Sequence, residues 1–309
     1  MITSLFRKST PLNYSIVILG VLFFFFVYQI KQVTSNNSIG HIGLKFSLAA
    51  IIFASIFITN FVVKKNGMSK DSAYTVLFYF IFLLFFPSIL NNTALLFSNF
   101  FILLAIRRTV SLHSLKASKE KIFDASIWVF IATLFHFWSI LFIILIFISV
   151  LFHVARDYRN WFLPLIAFCA VAIIFVLSAL YFDTNWIDRL FLQSRIDFRI
   201  DYFTNHYQNL ALSIYTTIGL FFIVSLLLTI SNRPLILHPT YKKILSAILI
   251  GIAVFAISPN KSNDLLVFTF APLAMITTTH IESGQPKWQQ EVVLALLILL
   301  GFFAFFSQL

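Results

Sequence analysis

The sequence predicts an all-α fold: a polytopic transmembrane helical bundle of about eleven spans, with a cytoplasmic N-terminus and a periplasmic C-terminus. Three observations predict it. Of 309 residues, 60% are hydrophobic and only 11% charged, a balance foreign to soluble globules. Apolar runs of 16 to 22 residues recur, about the length a helix needs to cross roughly 30 Å of hydrocarbon. Runs such as VLFFFFVYQI do not alternate polar with apolar residues. That excludes an outer-membrane barrel and leaves helices as the spanning form.

The first span, 14–30, follows Arg7 and Lys8. It is long, lacks a small-x-small cleavage site and precedes further spans, so it reads as a retained helix rather than a signal peptide. Spans 43–63, 73–89 and 92–107 come next, the last two joined tightly at PSILNNT. Spans 122–137 and 139–155 turn at FHFWS. Each tight pair either crosses fully or re-enters; either choice preserves the orientation of the rest. Between them, SLHSLKASKEK is amphipathic and reads as lying along the inner membrane surface. Span 162–182 leads into the long periplasmic loop 183–210, and spans 211–231, 241–257, 264–280 and 291–307 complete the chain. Pro272 is the clearest interruption. Residues 1–309 thus form a single integral membrane domain. The 40 Phe residues read as lipid-facing bulk, and the lone Cys169 as a small buried hydrophobe.

Charge sets the orientation. With the N-terminus inside, sixteen Lys and Arg fall on the cytoplasmic side and six outside, as the positive-inside rule expects of a bacterial inner-membrane protein. The net charge of +11 then meets an anionic leaflet, and no nucleic-acid partner is implied. The implied partners are membrane lipids and other membrane proteins.

No Walker loop, G-x-G-x-x-G, C-x-x-C or H-E-x-x-H is present. The middle thirds of the spans hold no acid or base, which argues against an ion-coupled carrier. Asn60 and Asn99 read as interhelical hydrogen bonders. The remaining polar groups collect at the outer interface. Seven charged side chains lie between Asp183 and Asp201, including Arg189, Arg195, Asp197 and Arg199, with His206 just beyond. Read as an interfacial amphipathic helix, this stretch places Arg195 and Arg199 on one face, Asp197 and Asp201 on another, and Phe198 with Tyr202 on a third. The guanidinium fork suits phosphate, so Arg189, Arg195 and Arg199, with Lys261, are candidates to hold the phosphates of a polyprenyl-phosphate-linked saccharide. His136 and Asp264 are the candidate general bases toward an acceptor hydroxyl. Plainer readings stand beside these: Arg and Asp that pair to keep a loop solvated, a helix-end histidine, and Asp264 as an N-cap. No cofactor is implied.

MITSLFRKSTPLNY and SPNKSNDLLVFTFAPLA resemble the two ends of an uncharacterised multi-pass family of flavobacteria and their relatives, which implies an inner-membrane protein without an assigned activity. A second, weaker resemblance, over about residues 70–280, is to exopolysaccharide and O-antigen polymerases. Their outer loop is rich in Arg and Asp, and a His is soon followed by Ser and an apolar run. Here that is His136, Ser139 and ILFIILIF, in place of the family's His-x-Ser. This resemblance implies a periplasm-facing, glycosyltransferase-like bundle. Related metal-dependent enzymes carry an acid in the first outer loop; KQVTSNNSIGHIG has none, so no metal is expected. Three functions follow: a transferase or polymerase acting on lipid-linked saccharides, a non-catalytic subunit or scaffold of an envelope assembly, and a transporter.

Overall fold

The computed structural model describes residues 2–31, 39–199, 205–283 and 286–309. Among them there are helices and no strands. Eight helical stretches are long and apolar enough to cross a membrane: Pro11–Lys31, Gly43–Lys65, Thr93–Ser114, Arg159–Phe182, His206–Asn232, Leu235–Ile257, Asn263–Ile281 and Lys287–Ser307. Three of the eleven expected spans differ. Span 73–89 is an 11-residue helix, Tyr74–Leu84, followed by a 3₁₀ turn at Pro87–Asn91. Span 139–155 divides into a 3₁₀ segment and helix Ile143–His153. Span 122–137 is the helix Ser118–Phe135, whose first two turns carry Lys119, Glu120, Lys121 and Asp124.

The α-helices in chain order are α1 Ile2–Phe6, α2 Pro11–Lys31, α3 Ile39–Lys65, α4 Tyr74–Leu84, α5 Thr93–Val110, α6 Ser118–Phe135, α7 Ile143–His153, α8 Arg159–Phe182, α9 Asn185–Gln193, α10 His206–Thr229, α11 His238–Ile257, α12 Val267–Ile281 and α13 Lys287–Ser307. Every residue of α4 and α12 is buried. These two pack on each other at the centre; α11, α10, α5 and α3 surround α12, and α2, α3 and α13 surround α4. Burial on all sides explains why both are apolar nearly all round, apart from two Tyr and one Thr in α4 and the Thr residues and terminal His280 of α12. Thr277 and Thr278 donate to Leu273 and Ala274 carbonyls, and Thr75 of α4 meets Thr278 across the pair at 3.0 Å. α12 continues through Pro272. Gly251 lets α11 approach: a Cβ there would lie 2.8 Å from Thr269 Cγ2.

Outward from this centre, α5 packs on α6 and α6 on α8. α8 is the peripheral helix, with Ile174, Leu177, Leu180 and Phe182 all more than 60% exposed, as suits a lipid-facing surface. Cys169 lies on this helix and is exposed, contrary to the expected burial, because the apolar run around it faces outward. The two amides behave as expected: Asn60 donates to the Tyr14 hydroxyl at 3.0 Å, and Asn99 to that of Tyr79 at 3.1 Å. SLHSLKASKEK forms no continuous surface helix. It divides into the 3₁₀ turn Ser111–Ser114, left-handed Leu115 and Ala117, and the first turn of α6.

Candidate functional site

Helix α9 is short, and its apolar and charged residues fall on opposite faces. Ile187, Leu190 and Phe191 are apolar, while Asp188 and Arg189 are exposed and charged. It lies across the end of the α6–α8 pair. A cavity of about 610 Å³ opens beneath it, walled by Ile131 and Phe135 of α6, Ile174 and Phe175 of α8, and Trp186 of α9. Arg189 and Gln193 supply the polar edge. The Arg189 guanidinium is 4.0 Å from Asp183 with its side chain 70% exposed, a weak contact that leaves its donors available. The cavity therefore joins an apolar slot to one cation, the shape of a site for a lipid chain ending in an anion.

Beyond α9 the expected helix does not continue. Residues 195–199 have no regular secondary structure, and Asp201, with Tyr202, lies outside the described residues. The reason is visible in its contacts. The backbone here is consumed by neighbouring loops rather than by a helix of its own. Asp197 N–H donates to the Ile257 carbonyl at 3.1 Å, the Arg195 carbonyl accepts from the Trp138 indole at 3.3 Å, and Lys261 Nζ donates to the Asp197 carbonyl. Arg195 and Arg199 therefore do not share a helical face; both are exposed, and neither lines the cavity. The Asp197 carboxylate accepts from the Arg199 backbone N–H at 2.8 Å, a local turn. Lys261 is 9% exposed and also donates to the Ser258 carbonyl at 3.2 Å, so its ammonium is a structural strut. His206 begins α10 and is exposed.

His136 caps the end of α6, and its Nε2 lies 3.1 Å from Ser258 Oγ. Ser258 has one hydroxyl proton, and it goes to the Val254 carbonyl at 2.6 Å. His136 Nε2 must then carry its own proton and donate, which leaves the ring's lone pair on Nδ1. Next to it, Phe137 N–H donates to Gln193 Oε1 at 3.4 Å, which ties the histidine turn to the cavity edge. Ser139 does not join this group. It is fully buried and shares a 2.6 Å hydrogen bond with Ser98 inside the α5–α6 packing.

Asp264 has other partners. Its carboxylate accepts from the Ser88 hydroxyl and, at 3.5 Å, from the Asn92 amide. It lies within a 3₁₀ turn whose first flanking residue is Ser262, and its side chain caps no helix. No hydrogen bond or ion pair among the described residues joins His136 to Asp264. The two candidate bases are thus held by different partners. Sequence reading missed Trp186 and Gln193; the signal was present in α9, where a Trp and a Gln flank Arg189 at helical spacing. No cluster of metal-ligating residues occurs among the described residues.

Fold and site together define an all-helical protein with eight helices long and apolar enough to cross a membrane and a largely apolar cavity under an amphipathic helix. The chain belongs to the family of unknown function DUF6427, whose model matches residues 1–309. No curated protein and no solved structure gives a significant match.

Proposed function

We propose that this protein binds a polyprenyl-phosphate-linked saccharide at the periplasmic face of the inner membrane and serves cell-envelope polysaccharide assembly as an integral membrane component. The observation that carries this reading is the 610 Å³ cavity: apolar walls for the prenyl chain, and Arg189 at the mouth for the phosphate. The sixteen-to-six distribution of basic residues supports the orientation. Eleven crossings are part of the proposal. One of the short segments, 74–91, supports this by reaching both ends of α2's neighbourhood: the Tyr74 hydroxyl donates to the Thr3 carbonyl, and Gln29 donates to Asn91.

A second reading, group transfer by a polymerase-like enzyme, is favoured by one observation. His136 keeps a free Nδ1 lone pair and adjoins Phe137, whose N–H donates to Gln193 at the cavity edge. A filled bundle centre and two exposed arginines support the non-catalytic form instead.

The test is binding of undecaprenyl phosphate to the purified full chain in detergent, with undecaprenol as the uncharged reference. Phosphate-dependent binding that falls about tenfold in Arg189→Gln is expected, the loss of one charge-assisted hydrogen bond. Equal binding of both lipids, or an unaltered Arg189→Gln variant, refutes the proposal. Envelope glycans altered by deletion and restored by His136→Gln select the non-catalytic form; failure of restoration selects group transfer. Cysteine labelling at position 195 in a Cys169→Ala background, from outside spheroplasts, checks the sidedness.

A further inference from the structure

At the opposite end of the bundle, three segments are laced together by hydrogen bonds. Ala73 N–H donates to the Phe6 carbonyl at 3.0 Å and Ser9 N–H to the Asp71 carbonyl at 3.1 Å. Glu282 accepts from Ser69 Oγ at 2.7 Å and from Lys70 N–H at 2.8 Å, joining the end of α12 to the same loop. These three segments and the start of α13 enclose a cavity of about 460 Å³. Its floor is buried Ser72, Tyr74 and Ile281; its rim carries Arg7, Lys8, Lys70 and Lys287.

These four cations differ from most of their neighbours. Lys64, Arg108 and Lys119 are paired with Asp71, Asp124 and Asp157. Lys65 and Arg107 lie over the Phe61 ring. Arg233 and Lys243 donate to helix-end carbonyls of Thr279 and Thr109. Among the described residues, Arg7, Lys8, Lys70 and Lys287 form no ion pair. They converge on one cavity whose single carboxylate, Glu282, is already engaged by two donors. A surplus of positive charge at the rim, including an arginine fork, over a floor of Ser72, Tyr74 and Ile281 matches the anionic oxygens of a phosphate group.

We infer that this cavity is a binding site for a phosphate-bearing ligand. The same chemistry is offered by an anionic lipid headgroup at the membrane surface and by a soluble phosphorylated solute. The site is independent of the α9 cavity.

The test uses the full chain in detergent. Native mass spectrometry with phosphatidylglycerol, against phosphatidylcholine, reads the lipid source, and the thermal shift given by sodium pyrophosphate reads the soluble one. Arg7→Gln with Lys287→Gln should weaken the effective probe about tenfold or more. Lys116→Gln with Arg156→Gln removes the same charge from exposed positions outside the cavity and should leave binding unchanged. Selective phosphatidylglycerol retention assigns a headgroup; a pyrophosphate shift without it assigns a solute. Binding of neither probe, or equal loss in both double variants, overturns the inference. Lys8→Gln with Lys70→Gln, two exposed side chains, replaces the first pair if that pair is not recovered folded.

Discussion

Lys261→Met isolates the force that holds the Arg- and Asp-rich loop in place. Methionine is one atom shorter, keeps most of the side chain's apolar bulk and removes its donors. Two carbonyls lose a cationic partner: that of Asp197, and that of Ser258 at 3.2 Å. Hydrogen bonds from a charged group contribute about 1.5 kcal/mol or more each, so the loop should lose roughly 3 kcal/mol of docking free energy. That corresponds to about a hundredfold rise in the opened population. The reporter is the Asp197 amide, which donates to the Ile257 carbonyl at 3.1 Å and exchanges only when the loop lifts. Hydrogen exchange on the purified protein should show its protection falling by about a hundredfold in Lys261→Met, in proportion to that opening. Arg195→Gln and Arg199→Gln, whose side chains are exposed, should leave it unchanged. Unaltered exchange in Lys261→Met would mean that the loop is held by Trp138 and Gln193 alone, and that the strut assignment is wrong.

Asp264→Asn should lower stability by about 1–2 kcal/mol, because the new amide opposes the Asn92 amide where a carboxylate had accepted from it; unfolding monitored by thermal shift checks this, and no change in Tm refutes the structural role. Gly251→Ala forces a Cβ to 2.8 Å from Thr269 Cγ2 and should cost about 1–3 kcal/mol. Thr269→Ser removes that methyl while keeping the hydroxyl that meets Tyr215 at 2.6 Å, so the double variant should recover most of the loss. Asp157 lies at the surface, and the Arg159 backbone N–H, with Lys119 beside it, holds its carboxyl below the usual carboxylate range. Its stabilising effect is therefore present above the unfolded carboxylate pKa and is lost as pH falls through the lower folded value. A thermal-shift titration should show the acid-side decline flattened in Asp157→Asn; an identical profile contradicts the assignment.

What the sequence determined by itself was the class of the chain and the positions of its apolar helices. Hydrophobic length is a local property, since a run of about twenty apolar residues needs no partner to declare itself. The amides Asn60 and Asn99 were legible for the same reason: a polar group in an apolar run must find a hydrogen bond nearby. The loop was different. The i, i+4 spacing of Arg195 and Arg199 expresses a helical preference, but Lys261, Trp138 and Ile257, all distant in sequence, take the backbone groups that such a helix needs. Only the tertiary structure could decide that competition. It also gave His136 and Asp264 different hydrogen-bond partners, turned Cys169 outward, and brought Arg7, Lys8, Lys70 and Lys287 to one cavity. Each of these depends on which helix faces lie together, and free energy from packing, rather than the pattern within any one segment, selects those faces.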